Sequence, residues 1–136
     1  MKVCYPFIEY YMKDKSEKGH ATSMNIIMEV VNTPYIFHLE DDWKFFNKRP
    51  YLTECLEVLY ADDNIGQCLI NKNYAETVED YNSDGECYVT DTGLRYYIQN
   101  YNVESVKGSS YWPHFSLRPS LIRKNVLIPF ESKPHF

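Results

Sequence analysis

The chain contains 136 residues, which is enough for one domain with a hydrophobic core and too few for two. Hydrophobic residues make up 44% and charged residues 24%, the balance of a soluble globular protein. The net charge of −5, without a Lys/Arg cluster, argues against a nucleic-acid partner, because binding to a phosphate backbone needs a basic face. No apolar run approaches the length of a membrane span, and the first residues lack a signal-peptide core.

The cysteine pattern predicts neither a zinc site nor a disulfide framework. None of the four cysteines belongs to a C-x-x-C pair or has a histidine at zinc-ligand spacing. Cys55 and Cys68 lie inside apolar runs, where reduced cysteines pack as small hydrophobic residues. This usage favours a reducing compartment, and we therefore predict a cytoplasmic protein.

Two amphipathic helices are predicted from the spacing of apolar residues. The first covers about residues 22–31, with apolar side chains three and four positions apart, and Asn32-Thr33-Pro34 ends it. The second covers about residues 51–61 and follows Pro50, a residue that suits the start of a helix. A third, short helix is expected to open at residues 118–123.

Buried strands are predicted at residues 35–39 and 65–71, where apolar residues are nearly continuous. Weaker strand patterns occur near residues 86–90 and 95–99, beside turns predicted at residues 83–85 and 91–93, and residues 111–117 read as extended. The order of helix, tight turn and buried strand is typical of half a βαβ unit, whose ligands bind beyond the carboxyl ends of the strands. The predicted fold class is therefore α/β.

Three consecutive acids, Glu40, Asp41 and Asp42, follow the first buried strand and precede Trp43. Their negative charges repel one another at the end of a buried element. A bound cation relieves this repulsion, and carboxylate oxygens suit Mg²⁺ or Mn²⁺. The alternative is a solvated acidic turn, which is our interpretation of the second acidic segment at residues 62–64 because it connects a helix to a strand.

A family resemblance is carried by three segments. Residues 33–43 read TPYIFHLEDDW and resemble the metal-binding D-x-D region of GT-A fold glycosyltransferases, more narrowly the family-2-like enzymes of giant viruses and bacteria. Residues 19–25, GHATSMN, resemble that family's Gly-x-Ala-x-x-x-Asn helix start, and residues 112–122, WPHFSLRPSLI, resemble a second block. The likeness covers roughly residues 17–136. It implies a single, incomplete glycosyltransferase domain over residues 1–136, a partial GT-A (nucleotide-diphospho-sugar transferase) fold with a mixed, mainly parallel sheet.

The resemblance implies a metal-dependent glycosyltransferase that moves a sugar from a nucleotide-diphosphate donor to a hydroxyl group of a glycan or another acceptor. By position, Asp42 matches the last acid of the family motif, which holds the Mn²⁺ or Mg²⁺ ion that bridges the diphosphate. Glu40 matches the first acid, near the ribose or the metal, and Asp41 is the middle position. Three further residues are expected to contact the donor: Trp43, Asn25 and Arg118. If the protein is viral, the predicted compartment is the cytoplasm of the host cell.

On the acceptor side, a carboxylate or a histidine must remove the proton from the attacking hydroxyl. The candidates for this catalytic base are Glu131, His114 and Asp91, and Trp112 together with His114 is expected to contact the acceptor. Packing in a core or a loop is the alternative role of the tryptophans and of His114. The alternative role of Arg118 is a structural ion pair.

The nucleotide-binding half of the family fold has no complete counterpart here, because few residues precede position 17. The chain is therefore expected to be the middle of a glycosyltransferase domain, either cut short or completed by a second polypeptide. The alternative function is a catalytically inactive remnant that acts as a binding or structural piece. A third interpretation is another metal-dependent phosphate enzyme, such as a nucleotidyltransferase, which needs a second set of carboxylates.

Overall fold

A computed structural model describes residues 5–17, 19–45, 47–70, 86–99 and 116–127. The chain divides into two compact units, one formed by Met1–Asn32 with Leu127–Phe136 and the other by Thr33–Val126. Among the described residues, no helix combines the length and the apolar character that crossing a lipid bilayer requires.

The first unit contains helix α1, which spans His20–Val30 and begins two residues before the predicted start. Gly19 precedes the helix with a φ of 101°, a backbone conformation that glycine adopts without a steric penalty. Lys13 connects the preceding loop to this start, since its Nζ donates to the Gly19 carbonyl at 3.0 Å and to the Ser23 hydroxyl at 2.7 Å. The helix ends where Val31 turns to an extended conformation, as predicted from the Thr33-Pro34 sequence that follows.

The described part of the second unit contains five strands and one α-helix: β1 at Tyr35–His38, α2 at Tyr51–Ala61, β2 at Gln67–Leu69, β3 at Cys87–Val89, β4 at Arg95–Tyr97 and β5 at Ser120–Arg123. A 3₁₀ turn at Lys124–Val126 follows β5. Three of the strands form one sheet in the order β1–β5–β2, and β3 pairs with β4 in a separate hairpin. The strands predicted near residues 35, 65, 86 and 95 are therefore confirmed, although each is shorter than predicted.

The prediction of a partial GT-A fold with a mainly parallel sheet is wrong, because every strand pairing among the described residues is antiparallel. The cause is the segment that we predicted as a short helix at residues 118–123, which instead forms β5. This strand lies between β1 and β2 and runs opposite to both. β1 and β2 consequently run in the same direction without being neighbours.

The interior position of β5 explains its sequence. Ser120, Leu121 and Ile122 are all buried, and successive residues of a strand point to opposite faces, so both faces of β5 are excluded from solvent. Arg118 precedes a proline, and this position favours an extended backbone over a helical one. These local preferences favour a strand. The predicted helix had Pro119 near its start, a position that proline also suits.

Helix α2 has the predicted bounds and packs on the sheet. Its buried residues are Cys55, Val58 and Leu59. Cys55 and Leu59 form the centre of a cluster with Leu121 of β5, against which the following residues pack: Tyr35, Leu56, Ile65, Cys68 and Ile70. Cys55 and Cys68 carry free thiols in this core, as predicted.

Arg123 connects the end of β5 to the end of α2. Its Nε donates to the carbonyl oxygen of Ile65 at 3.0 Å, and its guanidinium also donates to the carbonyl oxygen of Leu59 in the last turn of α2. The same group forms an ion pair of 3.2 Å with Asp63 and lies 5.8 Å from the centroid of the Tyr35 ring. Carbonyl groups at the end of a helix lack partners within the helix, so Arg123 supplies donors that α2 needs.

The β3–β4 hairpin turns where a turn was predicted, at residues 91–93. Gly93 has a φ of 92°, and its amide donates to the Thr90 carbonyl at 2.9 Å. Glu57 of α2 accepts hydrogen bonds from the hydroxyls of Thr90 and Thr92, and these bonds lower the pKa of its carboxyl group. The hairpin is therefore attached to α2 through its turn.

Candidate functional site

The acids lie at one end of the three-stranded sheet. β1 pairs with β5 in a register that sets Ile36 opposite Ile122 and His38 opposite Ser120. Because the strands are antiparallel, the residues that follow β1 lie beside the residues that precede β5. The last pair of the register is His38 with Ser120, so Glu40 follows β1 by two residues at the same end of the sheet where Arg118 precedes β5 by two residues.

The end of β2 reaches the same edge. Leu69 pairs with Ser120 across β5, and the amide of Ile70 donates to the carbonyl of Pro119 at 2.8 Å. The carboxyl ends of β1 and β2 therefore meet the start of β5. We call this part of the sheet the acidic end and define it by Glu40, Asp41, Asp42, Trp43 and Arg118.

Within the acidic end, Glu40 differs from the two aspartates. Glu40 is half-buried, and its Oε2 accepts a hydrogen bond from the indole Nε1–H of Trp43 at 3.0 Å. Asp41 and Asp42 are exposed in the turn that follows. The carboxylate that the family likeness assigns to the first acid thus orients the half-buried Trp43, while the other two face solvent.

The exposed aspartates suit a hard cation such as Mg²⁺, which keeps water or phosphate oxygens as its other ligands. Among the described residues, no three His, Cys, Asp or Glu side chains form a complete metal-binding group. Mg²⁺ is usually held by one or two carboxylates together with phosphate oxygens and water, so a complete protein cage is not required. Asp41 and Asp42 fit this kind of donor set, and Glu40 fits it less well because one of its oxygens already accepts the indole proton.

Arg118 supplies a positive charge at the acidic end. It lies in a bend immediately before β5, and its backbone amide donates to the Ser116 hydroxyl at 3.3 Å. Its side chain is exposed, and the ion pairs of the described segments involve other arginines. An exposed guanidinium with its five N–H donors can form bidentate hydrogen bonds to two oxygens of a carboxylate or phosphate group.

Gln67 is a component of this region that the sequence analysis missed. Its Oε1 accepts from the amide of Ser116 at 3.1 Å, and its Nε2 donates to the Ser116 carbonyl at 2.5 Å and to the Ser120 hydroxyl at 2.9 Å. These partners lie 49 and 53 positions away in the sequence. The only available signal was a polar side chain within a run that predicts a buried strand.

His38 is the last residue of β1 and is half-buried. Its Nε2 is shielded from solvent and has no hydrogen-bond partner within the described part of the chain. Side chains alternate along an extended backbone, so we expect His38 and Glu40, two residues apart, on the same side. A buried ring nitrogen without a partner is uncommon in native proteins, and a water molecule or a bound group usually accounts for it.

The other predicted site residues have different positions. Asn25 is half-buried on α1 in the first unit, and Asp91 is exposed in the turn of the β3–β4 hairpin. Trp112, His114 and Glu131 lie outside the described residues, as do residues 111–115 of the extended segment predicted at 111–117 and the first four residues of the second family block. The catalytic and acceptor roles of these residues stay predictions.

Comparisons with protein-family models, with curated proteins and with solved structures find no match to this chain. The likeness of residues 33–43 and 112–122 to a glycosyltransferase family therefore depends on those residues alone.

Proposed function

We propose that the chain binds a nucleoside-diphosphate sugar at the acidic end through a divalent cation and transfers the sugar to an acceptor hydroxyl. The observation that supports this proposal is the antiparallel pairing of β1 and β5, because β1 ends shortly before exposed Asp41 and Asp42 at the same end of the sheet where β5 begins shortly after exposed Arg118. The proposal also uses the likeness of residues 33–43 to a donor-binding motif, and it does not depend on a GT-A fold.

The two signs of charge have complementary roles toward a diphosphate. Asp41 and Asp42 would hold Mn²⁺ or Mg²⁺, whose remaining coordination positions suit phosphate oxygens. Arg118 would donate hydrogen bonds to other oxygens of the same diphosphate. An acidic chain can in this way bind an anionic donor, since the cation and the guanidinium together supply positive charge.

Each residue of the acidic end then has a defined part in the reaction. The cation, when bound, stabilises the negative charge that builds up on the departing diphosphate. Asp42 and Asp41 fix its position, Arg118 holds a phosphate group, and Trp43 presents an aromatic surface for stacking against the donor. Glu40 keeps the indole ring in place through the bond to its Nε1–H.

The alternative is an inactive chain that serves as a binding or structural piece. The observation that favours it is the exposure of Asp41 and Asp42 in a turn. Water solvates exposed carboxylates well, and in that case their mutual repulsion needs no cation.

Thermal unfolding with UDP, GDP or dTDP, each with and without Mn²⁺, tests the donor binding that the proposed function requires. A nucleotide at about 100 times its Kd is expected to raise the free energy of unfolding by about 2.7 kcal/mol. For a chain of this size the midpoint would rise by several degrees. A rise that requires both Mn²⁺ and one nucleotide supports donor binding, with Mn²⁺ alone as the control. Equal midpoints under all conditions would overturn the proposal and favour the inactive chain.

A further inference from the structure

We infer that Gln67 is a positioning residue that holds Arg118 in place for the donor phosphate. The inference rests on the proposed function, because it assigns Gln67 a role at the same site. Gln67 acts on Arg118 through the backbone of residues 116–119, the last two of which form the bend before β5.

The first observation is the double contact between Gln67 and Ser116. The side-chain amide accepts from the Ser116 amide at 3.1 Å and donates to the Ser116 carbonyl at 2.5 Å. A side-chain amide thus satisfies both backbone groups of one residue, as a neighbouring strand would. Both contacts are partly buried, so competition from water is reduced.

The second observation is that the other side of the bend is also fixed. Ser120 is fully buried, pairs with β1 and β2, and accepts from Gln67 Nε2 at 2.9 Å. The Pro119 carbonyl accepts from the Ile70 amide at 2.8 Å. Arg118 therefore lies between two anchored points that are only two residues away on either side.

The third observation is the contrast between the backbone and the side chain of Arg118. Its backbone amide bonds to the Ser116 hydroxyl, whereas its side chain extends into solvent. Fixing a backbone in advance lowers the conformational entropy that a binding side chain loses when it meets its ligand. A bend held this firmly, with an exposed cation at its tip, is suited to presenting that cation.

The test replaces Gln67 with methionine, which is similar in length but forms none of the three hydrogen bonds of the glutamine side chain. Calorimetric titration would use Mn²⁺ and whichever of UDP, GDP and dTDP gives the Mn²⁺-dependent rise in the unfolding midpoint. We expect Gln67→Met to raise the Kd about tenfold, the size of effect found when a residue that orients a binding group is lost. Leu56→Ala, which removes a half-buried side chain beside the core cluster, is the matched control and should leave the Kd unchanged.

A double-variant cycle distinguishes positioning from a general loss of stability. If Gln67 acts through Arg118, the Gln67→Met change has no further effect on the Kd in an Arg118→Ala background. Additive effects, or a Gln67→Met Kd equal to that of the unmodified chain, would overturn the inference. Failure of the unmodified chain to bind any nucleotide would instead remove the proposed function, and the positioning role would fall with it.

Hydrogen exchange reports on the contact itself without a nucleotide. The Ser116 amide donates to Gln67, so its exchange should accelerate in Gln67→Met while the exchange of Leu121 at the centre of the sheet stays slow. Unchanged exchange at Ser116 would also contradict the inference, because the bend would then be held without Gln67.

Discussion

Replacement of Arg123 by methionine is expected to lower the free energy of unfolding by about 3 kcal/mol. The side chain is only 15% exposed, and its guanidinium donates to the carbonyls of Leu59 and Ile65. Methionine keeps much of the packing volume but leaves both carbonyls without these donors. Partly buried acceptors that lose their partners account for most of the expected cost, and the lost contact with the Tyr35 ring adds to it.

Urea unfolding followed by circular dichroism would measure this loss. The matched control is Asp63→Asn, which removes the charged partner of the ion pair but leaves the two carbonyl contacts. Asp63 is 97% exposed, so this change should have little effect on stability. Equal losses in the two variants would contradict the view that Arg123 acts mainly through the end of α2.

The second large effect is expected at the acidic turn, where Asp42→Asn and Glu40→Gln should differ. Asp42→Asn removes a charge from an exposed carboxylate that faces the proposed cation, and we expect Mn²⁺-dependent nucleotide affinity to fall roughly a hundredfold. Glu40→Gln keeps a carbonyl oxygen that can accept the Trp43 indole proton, which the native carboxylate accepts at 3.0 Å. Its affinity should stay within about threefold of the unmodified chain.

The two variants are compared by calorimetric titration of Mn²⁺ and the nucleotide, with Glu40→Ala as the third member of the series. Glu40→Ala should weaken binding more than Glu40→Gln, because only the glutamine retains an acceptor for the indole. The opposite ranking, in which Glu40→Gln loses affinity and Asp42→Asn keeps it, would identify Glu40 as the metal ligand.

Several elements could be predicted because their signals are local. The bounds of α2 follow from Pro50 and from apolar residues at helical spacing, and β1 follows from a proline at its start and a continuous apolar run. The turn of the hairpin was evident from Asp91-Thr92-Gly93, where glycine provides a positive φ.

The strand β5 could not be assigned in the same way. A strand of four residues is too short for its periodicity to separate a helix from a strand. Its identity depends on pairing with β1 and β2, whose residues are 51 or more positions away. Because β5 separates β1 from β2, this one misassignment also produced the wrong expectation of a parallel sheet.

The candidate site was predictable in its parts and not in its arrangement. The three acids are visible as a motif, and Arg118 was named as a phosphate contact. The acids and Arg118 share one end of the sheet because β1 and β5 are antiparallel. The hydrogen bond between Glu40 and Trp43 and the contacts of Gln67 form only in the folded chain. The contacts of Gln67, which we infer to position Arg118, could not be predicted because their partners are 49 and 53 positions away in the sequence.

The most direct measurement locates the cation by paramagnetic broadening of amide signals. ¹⁵N-labelled protein with the bound nucleotide would be compared in Mn²⁺ and in diamagnetic Mg²⁺. We predict that Mn²⁺ broadens the amides of Asp41 and Asp42 together with that of Arg118, since the register of β1 and β5 sets these residues at one end of the sheet. Broadening confined to residues 62–64, the other acidic turn, or absent from Arg118, would contradict a shared site at the acidic end.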